Sequence, residues 1–225
     1  FITTANVLDT IYRGTAIAQM VEMKAGSLQV GDGAIAEIDA EKRELTMKNH
    51  TATHLLHAAL RKTLGPHVKQ AGSLVTPDRL RFDFTHYAPL SEGEIEKIED
   101  EVNKEIWRNR PVETRLMDLE EAMNSGAMAL FGEKYQEKVR VVEVPGFSRE
   151  LCGGTHVPAT GMLGSFKVID ESGIAAGVRR IEGITGPAAL SRFRAAEKLL
   201  VCLQFEYKVA RPELPVFLEK LYGQV

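Results

Sequence analysis

Two short motifs place imidazole and thiol side chains at the same spacing. Cys152 and His156 stand four residues apart in C-G-G-T-H, and His50 and His54 stand four residues apart in H-T-A-T-H. On a helix, this offset stacks two imidazoles on one face, one turn apart. Thiolate and imidazole are donors that zinc accepts together in a tetrahedral arrangement. The sequence therefore predicts one Zn²⁺ site with His50, His54, Cys152 and His156 as its ligands.

The remaining histidines and cysteines compete only weakly for this role. His57 is an alternative ligand, because on a helix it shares the face of His54. We rank it below His50, whose offset from His54 matches the offset of the other pair. Cys202 lies in the apolar run L-L-V-C-L and is expected to be a packed core thiol. Each pair alone is a weak motif, and it is their occurrence together that favours a metal site.

The residues between the two paired histidines exclude one class of zinc enzyme. A zinc protease carries H-E-x-x-H, in which the glutamate activates water, whereas here the intervening residues are T-A-T. Four protein ligands usually make a closed structural site, while an open position lets a metal lower the pKa of bound water. Spacing alone leaves both roles open. A thiol enzyme that pairs Cys152 with His156 is disfavoured, because it leaves His50 and His54 unexplained.

Composition narrows the class of protein. The chain has 225 residues, of which 44% are hydrophobic, and a net charge of −3. It can bury a full core, but it lacks the basic balance of a whole-surface nucleic-acid binder. Two cysteines cannot form a disulfide scaffold, nothing resembles a signal peptide, and no apolar run approaches the ~20 residues of a membrane span. We therefore expect a cytoplasmic protein with no membrane partner. Because it opens on Phe1 and strand-like sequence, we also expect it to be part of a longer chain.

The elements that must position the metal ligands alternate irregularly between strand and helix. Residues 1–45 predict short strands, F-I-T-T-A-N-V-L, T-A-I-A-Q-M-V-E-M and G-A-I-A-E-I-D, separated by glycine turns. Asn49 is expected to cap a helix that begins at His50 and stops at Gly65-Pro66. Strands G-S-L-V-T and L-R-F-D-F follow, and then a helix that opens on the capping box S-E-G-E at Ser91.

The second half of the chain continues this alternation. It predicts strands V-E-T-R-L-M, V-R-V-V-E-V, S-F-K-V-I-D and V-R-R-I-E-G-I-T-G, a short helix D-L-E-E-A-M-N-S-G, and helical sequence from residue 187. The motif C-G-G-T-H falls in a loop or at a helix start. The strands pair in the manner of hairpins, which favours an α+β fold with a mixed or antiparallel sheet and packed helices. A small β subregion is expected at the N-terminus and a helical tail at the C-terminus.

Longer strings of the sequence carry a family resemblance. N-H-T-A-T-H-L-L-H-A-A-L, G-S-L-V, L-R-F-D-F, G-A-M-A-L-F-G-E-K-Y, E-L-C-G-G-T-H-V and G-V-R-R-I-E-G-I-T-G together resemble the editing domain of bacterial alanyl-tRNA synthetases over roughly residues 1–190. Residues 191–225 resemble the start of the helical connector to the C-terminal domain of that family. The resemblance implies three parts: a β-rich, incomplete barrel-like subregion at 1–45, a zinc-binding editing core at 46–190 and a connector at 191–225.

The resemblance also implies a function. The expected activity is an aminoacyl-tRNA deacylase that hydrolyses the ester bond of tRNA(Ala) mischarged with serine or glycine, with the aminoacylation domain absent from this chain. Thr53 and Gln70 match family positions implicated in editing and amino-acid discrimination, so both are candidate catalytic and substrate-binding residues. Read without the resemblance, Thr53 is a helix hydroxyl bonded to its own backbone and Gln70 a solvated loop amide. The alternative function is a zinc-stabilised structural or RNA-binding module without catalysis.

The implied partners are the acceptor 3′ end of tRNA(Ala) and the remaining domains of the parent synthetase. A near-neutral surface leaves only local candidates for contact with phosphates, and the simpler reading of each is an exposed or paired charge. These candidates are Lys62, Lys69, Arg79, Arg81, Arg179 and Arg180.

Overall fold

The computed structural model describes residues 3–129 and 135–223 and has the predicted α+β fold, with helices packed on antiparallel sheets. Part of the string G-A-M-A-L-F-G-E-K-Y, residues 130–134, lies outside the described residues. The chain divides into two compact units, residues 1–38 and 39–225. The three-part division at 45/46 and 190/191 stays a prediction.

The first unit contains one antiparallel hairpin of two strands, β1 (Thr4–Arg13) and β2 (Ala16–Ala25). Gly14 occupies the turn with a φ of 64°, a conformation that favours glycine. The third predicted strand, G-A-I-A-E-I-D, does not form. Its alternating pattern fits a strand, but no described strand pairs with it, and Ile35 remains 92% exposed. An unpaired strand has no ladder of hydrogen bonds to stabilise it.

The long helix α1 (Ala40–Leu64) passes through the centre of the second unit. The predicted start at His50 was wrong, because the helix begins ten residues earlier and Asp39 caps it by accepting from the backbone N–H of Lys42 (3.0 Å). Its first turns are exposed and lack an apolar stripe, so the pattern did not reveal them. The predicted end was correct, since Gly65 terminates the helix with a φ of 116°. The second half of α1 is buried on nearly all sides, as expected of a helix inside a core.

Asn49 is not a cap but a buried tie between α1 and the sheet. Its amide nitrogen donates to the carbonyl oxygens of Thr76 (2.9 Å) and Pro77 (3.1 Å), and its amide oxygen accepts from the hydroxyl of Thr185 (2.7 Å). A cap must stand at the helix boundary, and residues on both sides of Asn49 are already helical. The side chain therefore fixes the position of α1 immediately before His50.

A four-stranded antiparallel sheet forms the floor beneath α1, with strand order β3-β4-β9-β8. Its strands are β3 (Gln70–Val75), β4 (Leu80–Thr85), β8 (Phe166–Ala175) and β9 (Val178–Thr185). Helix α2 (Glu92–Trp107) lies beside α1 and opens with the predicted capping box at Ser91. Phe82, Phe84 and Phe166 from this sheet pack with leucines of α1 in the main core.

A second, smaller sheet carries the segment that leads to Cys152. Its strand order is β5-β6-β7, and all neighbours are antiparallel. The strands are β5 (Glu113–Asp118), β6 (Lys138–Val144) and β7 (Ser148–Leu151), and the predicted short helix α3 (Leu119–Asn124) follows β5. β7 was not predicted, because four residues are too few to show an alternating pattern. It ends one residue before Cys152, so C-G-G-T-H lies in a loop that leaves the sheet.

The C-terminal part is helical, as predicted. Helix α4 (Gly186–Tyr207) is followed by α5 (Leu214–Tyr222). The prediction of a buried Cys202 was wrong: the thiol is exposed, since Ala189 is the one buried residue that the structure describes in α4. An apolar run in a helix is buried only where another element packs against it. Throughout 3–129 and 135–223, no helix combines the length and the apolar character needed to cross a bilayer.

Candidate metal centre

The four predicted ligands lie together. The imidazoles of His50 and His54 project from one side of α1 and meet Cys152 and His156 from the loop after β7, and the donor atoms of all four lie within 4.8 Å of one another. The sulfur of Cys152 is 3.4 Å from Nε2 of His50 and 3.4 Å from Nε2 of His156. A tetrahedral zinc ion with ordinary bond lengths separates sulfur and nitrogen ligands by roughly 3.6 Å. The donor set and its spacing therefore fit zinc.

The loop after β7 is shaped to present both of its ligands. Gly154 passes so close to the imidazole of His50 that a Cβ at this position would overlap the ring, whereas a Cβ at Gly153 would meet open space. The guanidinium of Arg140, on β6, donates to the carbonyl oxygens of Cys152 (3.0 Å) and Gly154. A loop of this shape needs glycine for close approach and a cation for its carbonyls.

A threonine on α1 orients His156 from outside the cluster. The hydroxyl oxygen of Thr51 lies 3.2 Å from Nδ1 of His156 and accepts from the backbone N–H of Val157 at 3.2 Å. Since Nδ1 faces Thr51, Nε2 is the nitrogen that faces Cys152. Outer contacts of this kind fix the tautomer and the orientation of a metal-binding imidazole.

Glu150, like Arg140 and Thr51, is a site residue that the sequence analysis missed. It is 3% exposed at the end of β7, with one carboxylate oxygen 2.8 Å from Nδ1 of His54 and the other 2.9 Å from Nδ1 of His57. His57 therefore contacts this carboxylate and the ring of Phe82, and it stands outside the four-ligand cluster. The one signal in the sequence was position: Glu150 precedes Cys152 by two residues, which on an extended chain places both side chains on one side.

The charges of the cluster favour the ligand form of the cysteine. Burial alone raises the pKa of the Cys152 thiol, but hydrogen bonds from His156, His50 and His54 outweigh it and lower the pKa to about 3. The thiolate is the form that binds metal. For His156, burial and the neighbouring imidazoles outweigh the thiolate and lower its pKa to about 4, so the neutral ring is favoured.

For His54 and Glu150, in contrast to His156, the surroundings favour the charged form of each group. Burial works to lower the pKa of His54, but the negative charges of Glu150 and Cys152 outweigh it and raise that pKa to about 10. Burial works to raise the pKa of Glu150, and His54 and His57 overcome it and hold the carboxyl far below its usual range. A half-buried thiolate and a buried carboxylate thus meet one cationic ring. A divalent cation here would replace that proton as the source of positive charge.

A cavity of about 400 Å³ opens beside the cluster. Three of the four ligands, His50, His54 and Cys152, line one side of it, together with Thr53 and Glu150. Residues 70–73 of the edge strand β3 line it as well. The cluster therefore borders a space that a small organic group can enter.

The two residues predicted to act on substrate both line this cavity. The hydroxyl of Thr53 donates to the backbone carbonyl oxygen of Asn49 at 2.9 Å, so the simpler reading of a backbone-bonded threonine is also realised. Gln70 is the first residue of β3 rather than a loop residue, and it is half-buried. Its amide has no hydrogen-bond partner among residues 3–129 and 135–223. The structure thus brings Thr53 and Gln70 to the cluster, and their roles stay a prediction.

Most of the predicted phosphate contacts are engaged within the chain. Arg179 forms a two-pronged pair with Glu171, and Arg180 forms one with Asp83. Three more lie against carboxylates: Lys62 with Glu101, Arg79 with Glu182 and Arg81 near Asp83. Lys69 is exposed and has no carboxylate partner within the described parts of the chain. Of the six candidates, Lys69 is the one left available to an external anion.

Comparison with known proteins agrees with the family resemblance. Residues 139–182 match the model of the threonyl and alanyl tRNA synthetase second additional domain. This stretch runs from β6 to β9 and includes Glu150, Cys152 and His156. The chain is 57% identical to an alanine–tRNA ligase of Thermotoga maritima over 184 residues, which is 82% of the chain and 21% of that relative. The chain is a relative of the alanine–tRNA ligases.

Two further relatives extend the match along the chain. The alanine–tRNA ligase of Halorhodospira halophila is 52% identical over 215 residues, and that of Nitrosococcus oceani is 51% identical over 219 residues. These alignments cover 96% and 97% of the chain and 25% of each relative. The resemblance to the alanyl-tRNA synthetase family is therefore confirmed, and the chain spans about a quarter of the length of these relatives.

Proposed function

We propose that this chain is an aminoacyl-tRNA deacylase that hydrolyses the ester bond of tRNA(Ala) mischarged with serine or glycine, with Zn²⁺ held by His50, His54, Cys152 and His156. The observation that carries the proposal is the shared cavity: Thr53 and Gln70 line the same space as three of the metal ligands. The relatives are alanine–tRNA ligases, which supports tRNA(Ala) as the nucleic acid. The partners are then the 3′ end of that tRNA and the rest of the parent synthetase, in the cytoplasm.

The metal and the protein divide the chemistry. When bound, zinc orients or activates water, or holds the amino group of the substrate. Thr51 and Glu150 hold Nδ1 of His156 and of His54, so that Nε2 of each ring is free for the metal. Water adds to the ester carbonyl and the bond to the ribose oxygen breaks, which leaves free amino acid and tRNA with its terminal hydroxyl. The cavity places this reaction beside Thr53 and Gln70.

Thr53 and Gln70 can recognise the hydroxyl of serine. Because the proton of the Thr53 hydroxyl is donated to Asn49, its oxygen offers lone pairs and acts as an acceptor toward the cavity. The amide of Gln70 can donate into the same cavity. A site that hydrogen-bonds a substrate hydroxyl rejects the analogue that lacks it, because its own polar groups are then left unpaired. This arrangement favours seryl over alanyl esters, whereas glycine is proposed as a substrate on the resemblance alone.

Deacylation of seryl-, glycyl- and alanyl-tRNA(Ala) by the zinc-loaded chain tests the proposal. We expect seryl-tRNA(Ala) to be hydrolysed faster than alanyl-tRNA(Ala). Thr53→Val, which removes the hydroxyl at nearly constant volume, should reduce this preference, and Thr53→Ser should retain it. Gln70→Ala should reduce this preference as well. The matched control is Gln29→Ala, the same substitution at an exposed residue distant from Gln70 in the sequence. Equal hydrolysis of seryl- and alanyl-tRNA(Ala) by the wild type refutes the proposed discrimination.

A structural zinc module is the second candidate, and one observation favours it. Four protein donors already surround the centre, and a closed site of four ligands is the usual structural arrangement. Metal removal separates the two functions, because a main core of apolar residues from α1, α2 and the four-stranded sheet exists apart from the metal ligands. We expect the chelated chain to keep its far-ultraviolet circular dichroism and to lose deacylation. Unfolding on chelation supports the structural module instead.

A further inference from the structure

A group of stacked rings lies outside the metal centre, where α1 turns into β3 and β4 ends. The ring of Tyr87 stacks on that of His86, with centroids 4.9 Å apart, and on that of His67, with centroids 5.7 Å apart. The two imidazoles lie edge to edge, with centroids 5.2 Å apart and ring planes 25° apart. We call His67, His86 and Tyr87 the ring platform.

The ring platform is held in place from below. His86 is 9% exposed, and its ring lies 6.4 Å from that of Phe84, a core residue. Nε2 of His67 and Nδ1 of His86 are 2.9 Å apart, so one imidazole donates to the other. The hydroxyl of Thr85 donates to the carbonyl oxygen of His67 at 2.7 Å. The platform is thus ordered before any partner arrives.

Tyr87 itself is open to solvent. Its side chain is 82% exposed although its ring stacks on two imidazoles, so one face of the ring is covered and the other is free. Its hydroxyl has no hydrogen-bond partner among residues 3–129 and 135–223. A fixed aromatic ring with one free face is the feature on which proteins stack unpaired nucleic-acid bases.

The platform adjoins both the available cation and the cavity. The backbone N–H of Thr85 donates to the carbonyl oxygen of Lys69 (3.0 Å), which places Lys69 beside the strand end that leads into His86. The next residue along the chain, Gln70, lines the cavity of the metal centre. One short stretch of backbone therefore links an aromatic surface, an unpaired lysine and the cavity. This arrangement can accommodate a single nucleic-acid strand, with a base on the aromatic surface, a phosphate at the lysine and the terminal ester in the cavity.

We propose that the ring platform and Lys69 bind the single-stranded 3′ end of the RNA substrate, with an unpaired base on the free face of Tyr87 and a phosphate at Lys69. This inference rests on the proposed function, because it names the path by which the ester reaches the cavity. Stacking accepts any base, since every base has a π face, so the surface reads single-strandedness and not sequence.

The test is binding of a fluorescent RNA hairpin that carries an unpaired C-C-A tail, compared with the same hairpin made blunt. We expect Tyr87→Ala to weaken binding of the tailed hairpin about tenfold. Tyr87→Phe should bind as the wild type does, because the ring remains. Tyr222→Ala removes a ring that is 85% exposed on α5 and should leave binding unchanged. Lys69→Gln should lower the slope of log Kd against log salt by about one.

Several results overturn the inference. They are no measurable binding of the tailed hairpin by the wild type, unchanged binding by Tyr87→Ala, and an equal loss for the tailed and the blunt hairpin. Circular dichroism and zinc content of each variant establish that the fold and the metal centre persist. The proposed function fails separately: if the wild type binds the tailed hairpin through Tyr87 but leaves seryl-tRNA(Ala) intact, the surface stands and the deacylase does not.

Discussion

Glu150 lies 2.8 Å from Nδ1 of His54, and both side chains are buried. The contact joins the small sheet to α1 and fixes which nitrogen of His54 faces the cluster. The same carboxylate reaches His57 at 2.9 Å, so one residue of β7 organises two imidazoles of α1. Outer carboxylates of this kind raise the basicity of a metal-binding imidazole as well as orienting it.

Replacing Glu150 by glutamine should weaken zinc binding about 10- to 100-fold, the usual effect of losing an outer-shell partner. The change keeps the shape of the side chain and removes the negative charge that supports His54. Competition with a chromogenic chelator measures the affinity. Glu143→Gln, on the neighbouring strand β6, is the matched control, because Glu143 pairs with Arg149. Equal zinc affinity for Glu150→Gln and the wild type contradicts the prediction.

Adding one methyl group at Gly154 should also weaken zinc binding, because it disturbs the loop that carries Cys152 and His156. In Gly154→Ala the new Cβ overlaps the imidazole of His50, so the ring or the loop must move and the four donors separate. We expect zinc affinity to fall by at least the roughly 10- to 100-fold that follows loss of an outer contact. The measurement is again chelator competition, now with Gly153→Ala beside it.

Gly153→Ala is a close control, because it makes the identical change one residue away and its Cβ meets open space. Both glycines belong to the same loop, so a general stiffening of the loop affects the two variants alike. Only a steric effect on His50 makes the zinc affinities of the two variants differ. If the two variants bind zinc equally, contact between Gly154 and His50 does not limit the geometry of the centre.

Spacing was enough to single out the four residues that the structure brings together, because each pair is local and the residue types are scarce. His50 with His54, and Cys152 with His156, could be recognised within five-residue windows. The helix and strand types followed in the same way from periodicity and turn residues. Local patterns of this kind can be recognised without knowledge of the tertiary structure.

Contacts between distant segments were beyond such reasoning. Glu150 stands 93 residues from His57, and an acidic residue read alone is expected at the surface. Asn49 resembles a helix cap until the preceding turns of α1 are seen. Cys202 sits in an apolar run, but the run says nothing about whether a neighbouring element covers it. In each case the missing information was the tertiary partner and not the local propensity.

Removing the side chain of Asn49 should cost about 2–4 kcal/mol of unfolding free energy. Asn49→Ala leaves the carbonyl oxygens of Thr76 and Pro77 and the hydroxyl of Thr185 without their partner. Each buried polar group left unsatisfied costs about 1–3 kcal/mol, partly relieved by water. Urea unfolding measures the loss. Asn124→Ala, at an exposed position in α3, should change the unfolding free energy little. If Asn49→Ala changes it equally little, the hydrogen bonds of the Asn49 side chain do not stabilise the fold.

The capping box of α2 makes a prediction that depends on pH. Ser91 accepts from the backbone N–H of Glu94, and the carboxylate of Glu94 accepts from the backbone N–H of Ser91. We expect Ser91→Ala to lower the unfolding free energy by about 1 kcal/mol near neutral pH, the usual effect of losing such a cap. Ser191→Ala, in the exposed part of α4, makes the same substitution outside a cap and serves as the control.

The sign of the pH dependence follows from Glu94. Hydrogen bonds from the backbone and side chain of Ser91 hold the pKa of Glu94 below its usual value in the folded state. This stabilisation is present above the unfolded pKa of about 4.3, and it is lost as the pH falls through the lower folded pKa. The difference between wild type and Ser91→Ala in urea unfolding should therefore shrink in acid, because protonated Glu94 no longer accepts as a carboxylate from the Ser91 hydroxyl, the bond that the variant lacks. A difference that stays constant from neutral pH down to pH about 3 means that the Ser91 hydroxyl contributes nothing through the charge of Glu94.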